Sequence, residues 1–164
     1  MSGVRIETLE DIARIPIRSE RLFAVAMLCS GEFDVFWRPG ELQGAGHVTS
    51  PDFYLQEAEN PNGGVYVEVT ETLLKNFGER KKRQRRTLQN SGEVFWIVDR
   101  LELEQRLGMT IEQADLWFWD QIARRTVEEL VHHEQLDQEE ELEPERRLLG
   151  VHYAKGWNNR RARC

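Results

Sequence analysis

Asp52 and Glu68 are the two residues of this chain whose types and spacing best suit joint chemistry. Asp52 follows Pro51 and opens an apolar stretch, and Glu68 lies in the alternating segment VYVEVT, 65–70. There Val65, Val67 and Val69 face one way and Tyr66, Glu68 and Thr70 the other. Phe53 and Leu55 belong toward a core, which turns Asp52 and Tyr54 to the opposite side. The intervening EAENPNGG, 57–64, has the composition of a turn between antiparallel strands. Two neighbouring strands would then present two carboxylates side by side, an arrangement that needs a cation or a proton to neutralise it. Hard oxygen ligands of this kind suit Mg2+, which keeps several waters and takes one or two carboxylates plus a phosphate. Such an ion activates water and stabilises charge on a phosphate under attack.

The elements that must position these side chains follow from local patterns. A helix is expected over 19–30, capped by Ser19, carrying Glu20 in its first turn and stopped by Gly31. Strands are expected at 33–37 (FDVFW), 51–56 (PDFYLQ), 65–70 and 93–99 (EVFWIVD). Residues 38–50 read as loop. A helix is expected over 71–90, weakened at Gly78 and ended by Ser91-Gly92. A short helix ends at Gly108, and Thr110 with Gln113 forms a capping box for a last helix to about Glu134. Ile111, Ala114, Trp117, Phe118, Ile122 and Leu130 are its expected core positions. The order α-β-β-β-α-β-α predicts an α/β fold around a mixed central sheet. One domain is expected over 1–136, followed by a charged tail over 137–164 that begins as an acidic linker.

Composition bounds the rest. Five Trp and seven Phe supply enough apolar mass for a core and exclude a wholly disordered chain. The longest apolar run, Leu22 to Cys29, has eight residues, against the ~20 needed to span a bilayer. Glu7, Glu10 and Asp11 do not suit a secretory signal, and Cys29 and Cys164 make neither a disulfide framework nor a zinc site. A cytoplasmic protein is therefore expected, without a membrane partner. There is no Gly-rich phosphate loop and no Ser/His/Asp set.

Pro51-Asp52, then Glu68-Val69-Thr70 on a strand, resembles the pattern of the PD-(D/E)xK nuclease superfamily. SPDFYL and VYVEV look like its two middle strands, and the element order resembles its restriction-endonuclease-like α-β-β-β-α-β core, here with a C-terminal helix. The likeness covers roughly 19–99. Glu20, in SERLFAVAML, resembles the additional metal-proximal Glu of many members. One departure matters: the family's Lys two positions after the Glu is Thr70 here. Some branches carry that Lys on the following helix, and the corresponding offsets land on Lys81 and Lys82. Leu74, Phe77, Lys81 and Leu88 share helical spacing, which places Lys81 on an inward stripe.

The resemblance implies a Mg2+-dependent DNA endonuclease, with Mn2+ as a substitute. Asp52 and Glu68 would bind the metal, with Glu20 beside it and Lys81 or Lys82 positioning water. Many members act as homodimers. A non-catalytic nucleic-acid-binding or assembly module on the same fold is the alternative. Net charge is −7, yet residues 71–90 hold seven Lys or Arg against two Glu, a local +5. Within RKKRQRR, 80–86, the residues Arg80, Arg83, Arg85 and Arg86 suit contacts to DNA phosphates, or to RNA as an arginine-rich helix. His132, His133 and Glu134 have no metal-binding spacing, and Trp117, Phe118 and Trp119 suit a core or a dimer face better than base stacking.

Overall fold

The valine alternation of residues 65–69 becomes the central strand of a mixed sheet. The computed structural model describes residues 3–44, 46–57, 60 and 63–148, with 134–148 as backbone alone. In chain order the elements are β1 (Val4–Ile6), α1 (Leu9–Ala13), α2 (Arg18–Ser30), β2 (Phe33–Trp37), β3 (Leu42–Gly44), β4 (His47–Thr49), β5 (Phe53–Glu57), β6 (Gly64–Val69), α3 (Glu79–Asn90), β7 (Phe95–Val98), α4 (Arg100–Leu107) and α5 (Ile111–Leu148). A 3-10 turn, Leu74–Asn76, precedes α3.

Five strands pair in the order β1-β2-β5-β6-β7, and β3 pairs only with β4. β2, β5 and β6 form an antiparallel meander, with Phe53 opposite Val67 and Tyr54 opposite Tyr66. β7 lies parallel to β6, with Ile97 opposite Glu68. Parallel neighbours require a crossover, and α3 supplies it. The fold is thus mixed α/β, with helices packed on a mixed five-stranded sheet.

The core lies between α2 and one sheet face. Phe23 is fully buried, 5.2 Å from the Phe53 ring and 5.6 Å from the Trp96 ring. Leu22, Leu55 and Val67 join it, as do Leu103, Ile111 and Phe118 from the following helices. Arg18 at the start of α2 makes a two-pronged contact with Glu71, at 3.1 and 2.7 Å, which ties the helix to the end of β6.

Several elements depart from expectation. α2 begins one residue earlier, at Arg18, and its cap is Ile17, two residues before Ser19, with no side-chain capping bond; Ser19 is a buried helical residue. β1 and the β3–β4 hairpin have three residues each, too short for a period to register. The chain between β6 and α3 is no continuous helix. Gly78 has extended backbone and caps α3, and Leu74 is 40% exposed in the preceding turn. The last helix does not stop near Glu134; its backbone stays helical to Leu148, through a run rich in the helix formers Glu, Gln and Leu and past Pro144, which propensity alone would not favour. Trp117 and Leu130, expected in the core, are exposed, whereas Ile111, Ala114 and Phe118 are buried. The capping box of Thr110 and Gln113 is present.

The chain divides into two compact units, Met1–Phe118 and Trp119–Cys164. Within the expected tail, residues 149–164 lie outside the described residues. Among the described residues no helix is long and apolar enough to cross a membrane.

Candidate metal centre

Three carboxylates that the chain separates widely are all buried in the first unit: Glu20, Asp52 and Glu68 are 2%, 7% and 5% exposed. Each arrives by a different route. Glu20 sits in the first turn of α2. Asp52 stands immediately before β5, where its N–H donates to the Val67 carbonyl at 2.9 Å and its carbonyl accepts from Arg38 N–H at 2.8 Å. Those two bonds extend the ladder past the strand end and fix Asp52 between β2 and β6. Glu68 lies near the end of β6, on the face opposite Val67 and Val69.

Each carboxylate has definite partners. Glu20 accepts from Trp37 Nε1 at 2.8 Å and from Arg38 Nη2 at 3.2 Å. Asp52 Oδ2 accepts the Val69 N–H at 2.8 Å, and Asp52 Oδ1 lies 3.5 Å from Arg38 Nη1. Glu68 Oε1 accepts from Lys81 Nζ at 2.6 Å. Glu68 Oε2 is buried with no hydrogen-bond partner among the described residues. Such an oxygen is destabilising unless something else meets it.

The three negative groups influence one another. Burial pushes the Asp52 carboxyl up from its ordinary 3.8 to about 8, the charges of Glu68 and then Glu20 push the same way, and the Val69 N–H and Arg38 oppose them. The cluster thus holds more negative charge than Arg38 and Lys81 neutralise, and a proton on Asp52 makes up the difference.

Carboxylate oxygens are the ligand type that a hard divalent cation takes. Two carboxylates from adjoining strands, one with an unsatisfied buried oxygen, match the sparse protein ligation of Mg2+, whose other positions go to water and phosphate. Among the described residues no group of three or more His, Cys, Asp or Glu side chains could hold a metal ion, the trio Glu20, Asp52 and Glu68 included.

Lys81 and Lys82 separate cleanly. Lys81 reaches Glu68, whereas Lys82 turns to the exposed Glu79 at 3.1 Å. Arg80, Arg83, Arg85 and Arg86 lie on the exposed sides of α3 and take no part in the carboxylate cluster. Thr70 is buried, and its hydroxyl accepts from the Thr72 N–H at 3.1 Å, closing the turn after β6.

Trp37 and Arg38 belong to the site and were not among the expected residues. Arg38 has φ +53°, the left-handed region, and no other described non-glycine residue has positive φ. Strain of this kind persists where surrounding contacts overdetermine it, and it gathers at functional sites. The only hint in the sequence is Pro39-Gly40 directly after Arg38, which signals a turn at the end of β2. Comparison with family models, with curated proteins and with solved structures returns no match.

Proposed function

We propose that this chain is a metal-dependent DNA endonuclease with a restriction-endonuclease-like core. The observation that carries the reading is the meeting of Lys81, from α3, with Glu68 beside Asp52 where the interior strands β5 and β6 begin and end, within one α-β-β-β-α-β succession (α2, β2, β5, β6, α3, β7). Asp52 and Glu68 would hold Mg2+ or Mn2+. The bound ion would supply an activated water and stabilise charge on the cleaved phosphate. Lys81 holds a positive charge against Glu68, where it can orient a water and offset charge at the phosphate. Glu20 anchors Trp37 and Arg38, and through Arg38 it holds Asp52 in place. Arg80 and Arg85 would contact the DNA backbone. One site cuts one strand, so cleavage of a duplex calls for two copies of the chain.

Nicking of supercoiled plasmid by the purified chain tests this. Nicking is expected with Mg2+ or Mn2+, absent in EDTA, and lost in Asp52→Asn and in Glu68→Gln. Wild-type protein inert with both ions overturns catalysis.

One observation favours a second reading, a non-catalytic nucleic-acid-binding module. Arg38, Lys81, Trp37 and the Val69 N–H already satisfy most of the carboxylate oxygens without any metal. That reading expects salt-sensitive DNA binding, no nicking, and no dependence of binding on Asp52.

A further inference from the structure

A second polar feature lies apart from the carboxylates. The β3–β4 hairpin and α3 enclose a cleft of about 330 Å3 lined by His47, Arg83, Arg86, Thr87 and Asn90. The four α3 residues fall at i, i+3, i+4 and i+7, one face of the helix. Arg83 follows Lys81 by two positions, about 200° around the helix, so the cleft opens on the side away from Glu68.

Among the described residues no carboxylate lines it. Arg83 makes no ion pair among the described residues, although Arg18, Arg21, Arg38 and Arg100 all do. Among the described residues the one ion-pair partner of Arg86 is the exposed Glu79, at 3.8 Å, and its Nε donates to the Lys82 carbonyl at 3.4 Å, which leaves Nη1 uncommitted. The Thr87 hydroxyl and the Asn90 amide donate back to the carbonyls of Arg83 and Arg86, at 3.1 and 2.7 Å. That bonding stiffens the helix face and leaves two guanidinium groups and an imidazole as the groups for a ligand.

The hairpin is held tightly. Gly44, the strand partner of His47, packs so closely that a Cβ there would lie 2.2 Å from the Thr87 carbonyl oxygen. A guanidinium presents a planar fork of donors that matches phosphate oxygens. The volume admits a phosphate together with its sugar.

We propose that this cleft is a phosphate-group site, clamped by Arg83 and Arg86 and closed by His47, that takes a backbone phosphate of a nucleic-acid strand. The shared chemistry, a sugar phosphate, also occurs in free nucleotides, and the test separates the two. The inference rests on the nucleic-acid reading only for the source of the phosphate, and it does not involve the metal.

The full chain is studied in EDTA, so nicking is no readout and failure here leaves the metal reading untouched. The His47 imidazole resonance, identified by its loss in His47→Gln, is followed while duplex DNA, ATP or inorganic phosphate is added. It is expected to shift with DNA; a shift with ATP or phosphate but not DNA assigns the site to a free nucleotide. By fluorescence anisotropy, Arg83→Ala with Arg86→Ala is expected to weaken binding of labelled DNA about tenfold and to lower the salt slope by about 1, the share of one phosphate. Arg83→Lys with Arg86→Lys, which keeps the charge, should retain the salt slope and guards against misfolding of the alanine variant. If no phosphate compound moves the His47 signal, or the alanine pair binds within twofold of wild type, the proposal is overturned.

Discussion

Lys81 Nζ lies 2.6 Å from Glu68 Oε1, although thirteen positions and a change from strand to helix separate the two residues. The contact depends on where α3 begins. Gly78 caps the helix in extended backbone, so Glu79 and Arg80 occupy its exposed first turn and Lys81 swings under toward β6. Lys81 is about one-third exposed and Glu68 is almost fully buried, so the pair stands where screening is weak on one side only.

The two neighbouring lysines should therefore behave differently. Lys81→Met leaves Glu68 as a buried charge without its cation, which should destabilise the fold by about 1–3 kcal/mol. Nicking should fall by about a hundredfold or more. Lys82→Met removes only an exposed pair with Glu79 and should change stability by less than about 0.5 kcal/mol. Urea unfolding and plasmid nicking of both variants check this, and equal effects of the two would contradict the geometry.

Arg38 offers a second contrast, because its side chain is useful and its backbone is strained. Arg38→Ala loses the contacts to Glu20 and Asp52 and keeps φ at +53° with a Cβ present. Arg38→Gly loses the same contacts and removes the left-handed penalty of about 1 kcal/mol. Both variants should lose activity, and the glycine variant should be the more stable of the two by about that amount in urea unfolding.

The legibility of these residues in the sequence was uneven, for physical reasons. Glu68 stood out because a strand has period two and its neighbours are valines, and the register that pairs Phe53 with Val67 confirms that alternation. The helical stripe that points to Lys81 in the sequence includes Leu74, which sits exposed in a separate 3-10 turn. Lys81 and Leu88 alone justify the inward face. Trp37 and Arg38 were not legible, because their roles come from a left-handed backbone at the end of β2, and packing of β5 against β2 decides that conformation. His47 was hidden in a stretch whose Gly and Pro content reads as loop, where two three-residue strands exist through their seating on α3.

Stability in EDTA should depend on pH through Asp52. Its folded carboxyl holds a proton to about pH 8, while in the unfolded chain it ionises near its ordinary 3.8. Between those values the folded state binds more protons than the unfolded state, so unfolding free energy falls as pH rises. Asp11 runs the other way: the Glu7 N–H holds its carboxyl below the ordinary value, so its contribution is lost at acid pH, below this window. Wild-type urea midpoints should fall from pH 5 to pH 8, and Asp52→Asn should flatten that slope. An identical slope in the variant would mean that Asp52 carries no such proton.

Gly44 tests the seating of the hairpin without touching any charged group. A Cβ at that position meets three backbone atoms of α3 and its end: the Thr87 oxygen at 2.2 Å, and the Asn90 carbon and Ser91 nitrogen at 2.9 Å. None of these can swing aside as a side-chain tip would. Gly44→Ala must therefore lift the hairpin from α3, and overpacking of this kind destabilises by about 1–3 kcal/mol. β3 and β4 pair with no strand of the main sheet, so the disturbance should stay local. Amide exchange should quicken at His47–Thr49 and around Thr87, while Val67 and Val69, inside the five-stranded sheet, keep their wild-type protection. Uniform loss of protection across β5 and β6 would show instead that the hairpin is part of the folding core.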